Sequence, residues 1–197
     1  LQPFYHYLLA TVGILLYGHP SRHIHVIGIT GTKGKSSTAE FVNAVLEASG
    51  KKTAVLSTIR FKIDTNSEPN KYKMTMPGRF FTQHFLRKAV DAGCEYAIIE
   101  MTSEGARFFR HAHLQLDALI FTNLSPEHIE SHGSFEAYKK AKLRLAQQLA
   151  KSKKLARVAI ANIDNEHAPA FLIGDVEKNI GYSLNHVHII SHDEQTS

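Results

Sequence analysis

Short β-branched runs alternate with helix-spaced apolar positions along the chain, which predicts a mainly parallel sheet with helices on both faces, a doubly wound α/β fold. Residues 23–29 (HIHVIGI) read as a first strand and 30–35 as a Gly-rich turn. A helix follows over about 36–49, with Phe41, Val42, Val45 and Leu46 as its apolar face and Gly50 as its stop. Residues 52–57 form a second strand. The stretch 59–76 is a polar excursion in which Asp64, Asn66, Ser67, Pro69 and Asn70 favour turns, a long connection of the kind that carries function or moves. Helix 79–92 buries Phe81, Phe85, Leu86, Ala89 and Val90 and leads through Gly93 to a third strand at 96–101. The fourth strand is 117–122. A Ser125-Pro126 turn and a short helical segment bearing His128 and His132 come next, then a helix over 134–151 capped by Ser134, with Ala137 at its third helical position. A fifth strand at 157–161, a polar turn at 162–165 and two weak strands near 179–182 and 187–190 complete one core. Residues 1–22 read as an N-terminal amphipathic helical lead-in, and 23–197 as the domain itself.

Composition agrees with a folded domain. Hydrophobic residues make up 43% and charged residues 21% of the 197, which excludes disorder, collagen-like sequence and a many-span membrane protein. Cys94 stands alone, so no internal disulfide forms, and a reducing compartment, the cytoplasm, is expected. The net charge of +5 suits polyanionic ligands such as nucleotides or nucleic acid. No stripe of aromatics interleaves with the basic residues, which disfavours nucleic acid. The apolar run 8–17 is shorter than the ~20 residues a bilayer span requires. It reads as a docked helix, with a signal-peptide h-region as the other reading, although no basic segment precedes it. A start at Leu1 and a polar tail over 191–197 suggest a fragment or excised domain.

The strongest chemical signal is Gly31-Thr32-Lys33-Gly34-Lys35-Ser36-Ser37 between the first strand and the first predicted helix of the domain. Glycines let backbone N–H groups converge on one concavity, the helix N-terminus adds a positive dipole, a lysine supplies mobile charge and a hydroxyl completes a Mg²⁺ shell. The spacing departs from the common G-x-x-x-x-G-K-[ST] loop, since Ile29 stands where its first glycine would be, with Gly28 and Gly31 on either side. The fold is therefore expected to be P-loop NTPase-like. The bland alternative is an ordinary strand-to-helix turn with a surface lysine.

Ligands of open α/β sheets sit beyond the carboxyl ends of the strands, so the third and fourth strands should deliver residues to this crevice. The third ends in Glu100-Met101-Thr102-Ser103; the fourth runs into Thr122-Asn123-Leu124-Ser125-Pro126-Glu127-His128. Glu100 and His128 are candidate metal ligands beside phosphates. Read alone, Glu100 also suits a strand-end ion pair, and His128 a helix-capping surface position. The remaining pairs, His23/His25, His111/His113 and His186/His188, lack the His-Glu-x-x-His order and any cysteine partner, and read as structural.

Four ordered segments, GITGTKGKSST (28–38), EMTS (100–103), FTNLSPEHIESHG (121–133) and FEAYKKAKLRL (135–145), together resemble the central ATP-binding domain of the Mur ligase family, nearest to its UDP-N-acetylmuramoyl-tripeptide synthetase branch. The resemblance covers about residues 24–165. It implies that Gly31, Thr32, Lys33, Gly34, Lys35, Ser36 and Ser37 hold ATP, and that Ser36, Glu100 and His128 hold Mg²⁺. Lys142 matches a lysine that family members carry as a carbamate, an anionic oxygen ligand, so Lys35, Glu100, His128 and Lys142 are the implied catalytic set. Thr75, Met76 and Pro77, with Thr102 and Ser103, sit where the family contacts its UDP-muramoyl-peptide substrate; an amino acid is the second substrate. Asn162 and Asp164 match a further turn of the family.

The sequence departs from the family pattern at Met76 for a Thr, Gly78 for an acidic residue, Thr102 for a Ser and Glu104 for a His. The resemblance implies that the family's N-terminal UDP-binding domain and C-terminal amino-acid domain lie outside these 197 residues. The activity implied is an ATP-dependent acid–amino-acid ligase of peptidoglycan precursor synthesis, with the isolated chain inactive or weakly active. A folylpolyglutamate synthase-like ligase and a non-catalytic nucleotide-binding module are the alternatives, and the FTNL…EH…HG run argues against the former.

Overall fold

The computed structural model describes residues 2–72, 74–127, 129–183 and 187–190. A nine-stranded sheet is its centre. In chain order the strands are β1 (His25–Thr30), β2 (Thr53–Leu56), β3 (Arg60–Ile63), β4 (Asn66–Pro69), β5 (Tyr96–Glu100), β6 (Ala118–Phe121), β7 (Val158–Asn162), β8 (Lys178–Tyr182) and β9 (Val187–Ile190). They lie in the order β4-β3-β2-β5-β1-β6-β7-β8-β9. The six strands from β2 to β8 in that order are parallel, and antiparallel pairs close both edges. β5 and β6 flank β1, with Ile29 opposite both Glu100 and Ile120, so the carboxyl ends of all three strands open on one crevice.

The helices are α1 (Gln2–Leu16), α2 (Lys35–Ala48), α3 (Arg79–Asp91), α4 (Ser103–Arg107), α5 (Ile129–His132) and α6 (Phe135–Ala150). α2 covers one face of the sheet, where Ala39, Val42 and Leu46 meet Ile29, Val55, Ile98 and Ile120. The other face holds the larger core: Leu86 and Ala89 of α3 and Tyr138, Leu145 and Leu149 of α6 pack on Val26, Ala97, Ile99, Leu119 and Phe121. The two faces of β1, β2, β5, β6 and β7 are thus both apolar, as a helix-covered parallel sheet requires.

Several expectations are corrected. α2 packs through Ala39, Val42, Asn43 and Leu46, whereas Phe41 and Val45 are 73% and 69% exposed; a contiguous apolar quartet is wider than the stripe one sheet contact needs. α1 is docked against α3 through Ala10 and Ile14 but is not amphipathic, for Leu8, Val12, Leu15 and Leu16 face outward. No helix of the described residues is long and apolar enough to cross a membrane.

The excursion 59–76 is largely a hairpin, β3–β4, turned at Asp64, which takes a left-handed φ of 53°. Strand alternation explains it. Phe61 and Ile63 face the core on the α3 side, while Arg60 and Lys62 pair with Glu40 and Glu47 of α2. Polar turn formers therefore masked a hairpin whose first strand, β3, has partners for both of its charges. α4 was also not foreseen; Thr102 caps it by accepting from Gly105 N at 3.0 Å. The expected cap of α6 is present, with Ser134 Oγ accepting from Ala137 N at 3.1 Å. Asp164 N donates to Asn162 Oδ1 at 3.1 Å in the turn after β7. The polar tail over 191–197 lies outside the described residues.

Candidate phosphate-binding crevice

The loop 31–34 joins β1 to α2 and is bound on its outer side by the segment that follows β6. Thr32 N donates to Asn123 O at 2.8 Å and Lys33 N to Asn123 Oδ1 at 3.0 Å, while Thr122 Oγ1 donates to Lys33 O at 2.7 Å. Thr32 Oγ1 accepts from Ser125 N at 3.0 Å and contacts Tyr138 Oη at 3.1 Å. Packing at Gly31 is close enough that a Cβ would overlap the Thr122 hydroxyl and stand 3.1 Å from Asn123 N. Gly34, at φ 79°, then turns the chain into α2. The first turn of α2 thereby presents unpaired backbone donors at the carboxyl end of the sheet, the arrangement that suits an anion.

Two lysines lie against this loop. Lys35 Nζ donates to Gly31 O at 3.0 Å and to Thr32 O at 2.9 Å. Burial lowers its pKa from the ordinary lysine value, with Glu100 and Glu127 opposing. Lys142 comes from α6, only 1% exposed, and donates to the same Gly31 carbonyl at 2.6 Å. Its ammonium also stands 4.9 Å from the centre of the Tyr138 ring. Burial, then repulsion from Lys35, brings its pKa down to about 7, against the pull of Glu100 and Glu127. Buried Tyr138, Lys142, Leu145 and Leu149 recur at helical spacing, so the stripe that carries α6's core contacts carries this lysine inward.

Across the loop from Lys142, Glu100 ends β5 at 2% exposure. Its Oε2 accepts from Ser36 Oγ at 2.9 Å and from Thr58 N at 2.8 Å. Thr58 Oγ1 in turn meets Thr75 Oγ1 at 2.8 Å, which ties the segment 75–77 to the crevice. A serine hydroxyl and a carboxylate side by side are hard oxygen donors, the kind Mg²⁺ accepts when phosphates and water complete its shell, so these residues fit that ion. No group of three or more His, Cys, Asp or Glu able to hold a metal occurs among the described residues, and a site here would share its ligands with the phosphates.

The structure therefore brings together Gly31, Thr32, Gly34, Lys35, Ser36, Glu100 and Lys142. Lys33 is outward, 3.3 Å from Glu127, and Ser37 is exposed on the first turn of α2. His128 lies outside the described residues, as does His186. Thr75 is buried beside Thr58, and Pro77 is half-buried. Met76 is wholly buried, its sulfur packed against Gly105, and it offers only its carbonyl, which accepts from Arg110. Thr102 spends its hydroxyl on the α4 cap, and Ser103 Oγ pairs with His132 Nε2 at 3.0 Å.

Sequence reasoning missed Thr58, Tyr138 and the two-sided grip of Asn123. The run Thr122-Asn123 directly after a strand was a usable signal for Asn123; Thr58 had none, because its amide reaches Glu100 only through the β2–β3 turn. Of the other histidines, His25 Nδ1 pairs with Asp117 at 2.9 Å and His113 Nε2 meets Thr11 Oγ1 at 2.9 Å, both structural roles.

The family described as Mur ligase middle domain matches residues 29–195. A UDP-N-acetylmuramyl-tripeptide synthetase of Roseiflexus sp. (strain RS-1) is 37% identical over 172 residues, covering 83% of this chain and 34% of that protein. One from Treponema denticola is 38% identical over 176 residues, covering 87% of this chain and 33% of that protein. A UDP-N-acetylmuramoyl-L-alanyl-D-glutamate–2,6-diaminopimelate ligase of Chlamydia trachomatis is 31% identical over 178 residues, 90% of this chain and 36% of that one. The chain thus spans about a third of the length of these curated relatives. Among solved structures, a UDP-N-acetylmuramoyl-L-alanyl-D-glutamate–2,6-diaminopimelate ligase superposes with a TM-score of 0.66 at 22% identity over 85% of this chain and 39% of that one. The Mycobacterium tuberculosis folylpolyglutamate synthase complexed with ADP superposes with a TM-score of 0.67 at 17% identity, over 91% of this chain and 48% of that one. Both likenesses are of fold.

Proposed function

Because the chain belongs to the Mur ligase middle-domain family, we propose that it is the ATP-binding core of a cytoplasmic ATP-dependent carboxylate–amine ligase of peptidoglycan precursor synthesis. The substrates are ATP, a UDP-muramoyl-peptide acceptor and an amino acid, with the acceptor and amino-acid domains supplied by further parts of a longer ligase. One observation carries the reading: Lys35 and Lys142 both donate to the Gly31 carbonyl, and Ser36 pairs with Glu100 in the first turn of α2, which follows directly on the loop 31–34. The relatives at 31–38% identity support the muramoyl branch over a folylpolyglutamate synthase, whose likeness is one of fold.

An acceptor carboxylate oxygen attacks the γ-phosphorus of ATP, and the bond from that phosphorus to the bridging oxygen breaks to release ADP and leave an acyl phosphate. The amino-acid amine then adds to the acyl carbon, phosphate departs with its C–O bonding pair, and the nitrogen loses a proton to become the amide. In this scheme the loop amides and the N-terminus of α2 bind the phosphates, and Lys35 exchanges the Gly31 and Thr32 carbonyls for a phosphate oxygen. Asn123, Thr122 and Tyr138 keep the loop in place, so little reorganisation accompanies phosphoryl transfer. Ser36, Glu100, His128 and Lys142, the last as a carbamate, are the groups that would hold Mg²⁺, which when bound supplies charge neutralisation at the phosphates. With a pKa near 7, Lys142 has a neutral amine available to add to CO₂ and lose a proton, which turns its repulsion of Lys35 into attraction. Thr75, Pro77, Thr102 and Ser103 border the acceptor's approach, while Met76, wholly buried with its carbonyl held by Arg110, supports that segment rather than meeting the acceptor.

The test is phosphate release by a ligase carrying this chain as its middle domain. Release that requires both the UDP-muramoyl-peptide acceptor and the amino acid, and that falls by about 10³ in Lys35→Ala, is expected. Undiminished turnover in Lys35→Ala, or ATP binding without acceptor-dependent release, overturns the assignment, the latter in favour of a binding module.

A further inference from the structure

A cavity of about 400 Å³ lies between the β3–β4 hairpin and α3, away from the phosphate crevice. Its shape follows from two periodicities. Phe61 and Glu68 are register partners on one face of the hairpin, opposite the face whose Lys62 pairs with α2. Phe81, Phe85 and Lys88 follow at i, i+4 and i+7 along α3 and meet that face. Phe61, Phe81 and Tyr72 touch one another at ring-centre distances of 5.0, 5.4 and 5.9 Å, forming an aromatic platform.

Packing alone leaves two features without a use. The rings do not close the space, and Tyr72 is 58% exposed at its mouth. Two charges of opposite sign also line it, Glu68 on the hairpin and Lys88 on the helix, and neither makes an ion pair with a described residue. A volume of this size with an aromatic floor and a few polar groups is the usual form of a small-molecule site. We propose that the cavity between the β3–β4 hairpin and α3 binds a small zwitterion of the amino-acid class with an apolar body, its ammonium facing Glu68, its carboxylate facing Lys88 and its body on the Phe61–Tyr72–Phe81 platform.

Tyr72 is also within reach of the crevice. Its amide donates to Asn70 Oδ1 at 2.9 Å, Asn70 Nδ2 donates to Ser57 O at 2.9 Å and Met74 O at 3.0 Å, and Thr58 and Thr75 adjoin those two carbonyls. An occupant would press on the same hydrogen-bonded segment that presents Thr58 N to Glu100.

The full chain without nucleotide is titrated with L-phenylalanine, its amide, which lacks the carboxylate, and its N-acetyl derivative, which lacks the ammonium. This measurement is independent of ligase activity. Saturable phenylalanine binding is expected, with each blocked analogue about tenfold weaker. Glu68→Gln should erase the preference over the N-acetyl form and Lys88→Gln the preference over the amide, each leaving the circular dichroism and melting curve unchanged. Absence of saturable phenylalanine binding, equal binding of the three compounds, dependence on only one end group, or preferences that survive both substitutions each overturn the proposal.

Discussion

Lys35 and Lys142 donate to one and the same oxygen, the carbonyl of Gly31, at 3.0 and 2.6 Å. Two ammonium groups sharing one acceptor repel each other in a setting too buried for water to screen them well. The arrangement is relieved when Lys142 gives up its proton, when an anion arrives between the two, or when Lys142 itself becomes anionic. A site that binds phosphates gains from this tension, since the ligand removes a cost the empty loop carries.

Lys142→Met should therefore stabilise the ligand-free chain at pH 7, by about 1–4 kcal/mol, because it replaces a buried cation with an apolar side chain of similar length. The sign follows from linkage. The native amine has a pKa near 7, against an ordinary value of 10.5, so between those values the unfolded chain binds more protons and stability rises with pH. Chemical denaturation at pH 7 and pH 10 should show that rise in the parent chain and a flatter response in the variant. A destabilised variant at pH 7 would mean that the Lys142 ammonium is a net support of the fold.

Glu100→Gln tests the oxygen pair opposite that lysine. The amide oxygen of glutamine can still accept from Ser36 Oγ and Thr58 N, so the melting temperature should stay within a few degrees. Affinity for a non-hydrolysable ATP analogue with Mg²⁺ should fall at least about tenfold, whereas affinity in excess chelator should change little. Equal losses with and without metal would remove Glu100 from the ion's shell and leave it a structural acceptor.

How legible these parts were in the sequence depended on whether each signal was local. The turn at 31–34, its strand and the cap at Ser134 are patterns within a few residues, and as structural elements they stand where those patterns put them. Lys142 was flagged by resemblance, yet its burial was also readable from the helical spacing of Tyr138, Leu145 and Leu149. The β3–β4 hairpin was not legible, because its partners Glu40 and Glu47 belong to a helix on another part of the chain. The same holds for Thr58, whose amide matters only once β2 and β5 lie side by side. Phe41 and Val45 show the converse: both are locally apolar yet exposed, because the sheet offers α2 no further surface there.

Gly31→Ala should disable the loop. The added Cβ would overlap the Thr122 hydroxyl, which itself holds Lys33 O, so the segment after β6 and the loop cannot both keep their places. A stability loss of about 2–4 kcal/mol is expected, in the range of overpacked or strained sites, together with loss of nucleotide binding. Thr122→Ala in the same chain should recover part of the stability, since the closest atom is gone, but not all of it, because Asn123 N and O remain 3.1 Å from the new carbon. Melting curves of the single and double variants measure this; no recovery would place the strain in the backbone conformation of residue 31.

His111 supplies a pH dependence on the acid side. Its ring is 5% exposed and its Nδ1 has no hydrogen-bond partner. Burial first, then the positive charges of Arg144, His113 and Lys151, lower its pKa from 6.5 to about 4, with the Gly105 backbone opposing. The native ring therefore stays neutral where the unfolded chain has already taken a proton. Stability from this group is intact above pH 6.5, falls as the pH drops below that value, and is lost by about pH 4, for a total of about 3 kcal/mol. His111→Leu should flatten that part of the profile while leaving the slope due to Lys142, which lies at neutral and basic pH, untouched. The check is urea unfolding of both proteins at intervals from pH 7 to pH 4; parallel profiles would show that other groups carry the acid sensitivity.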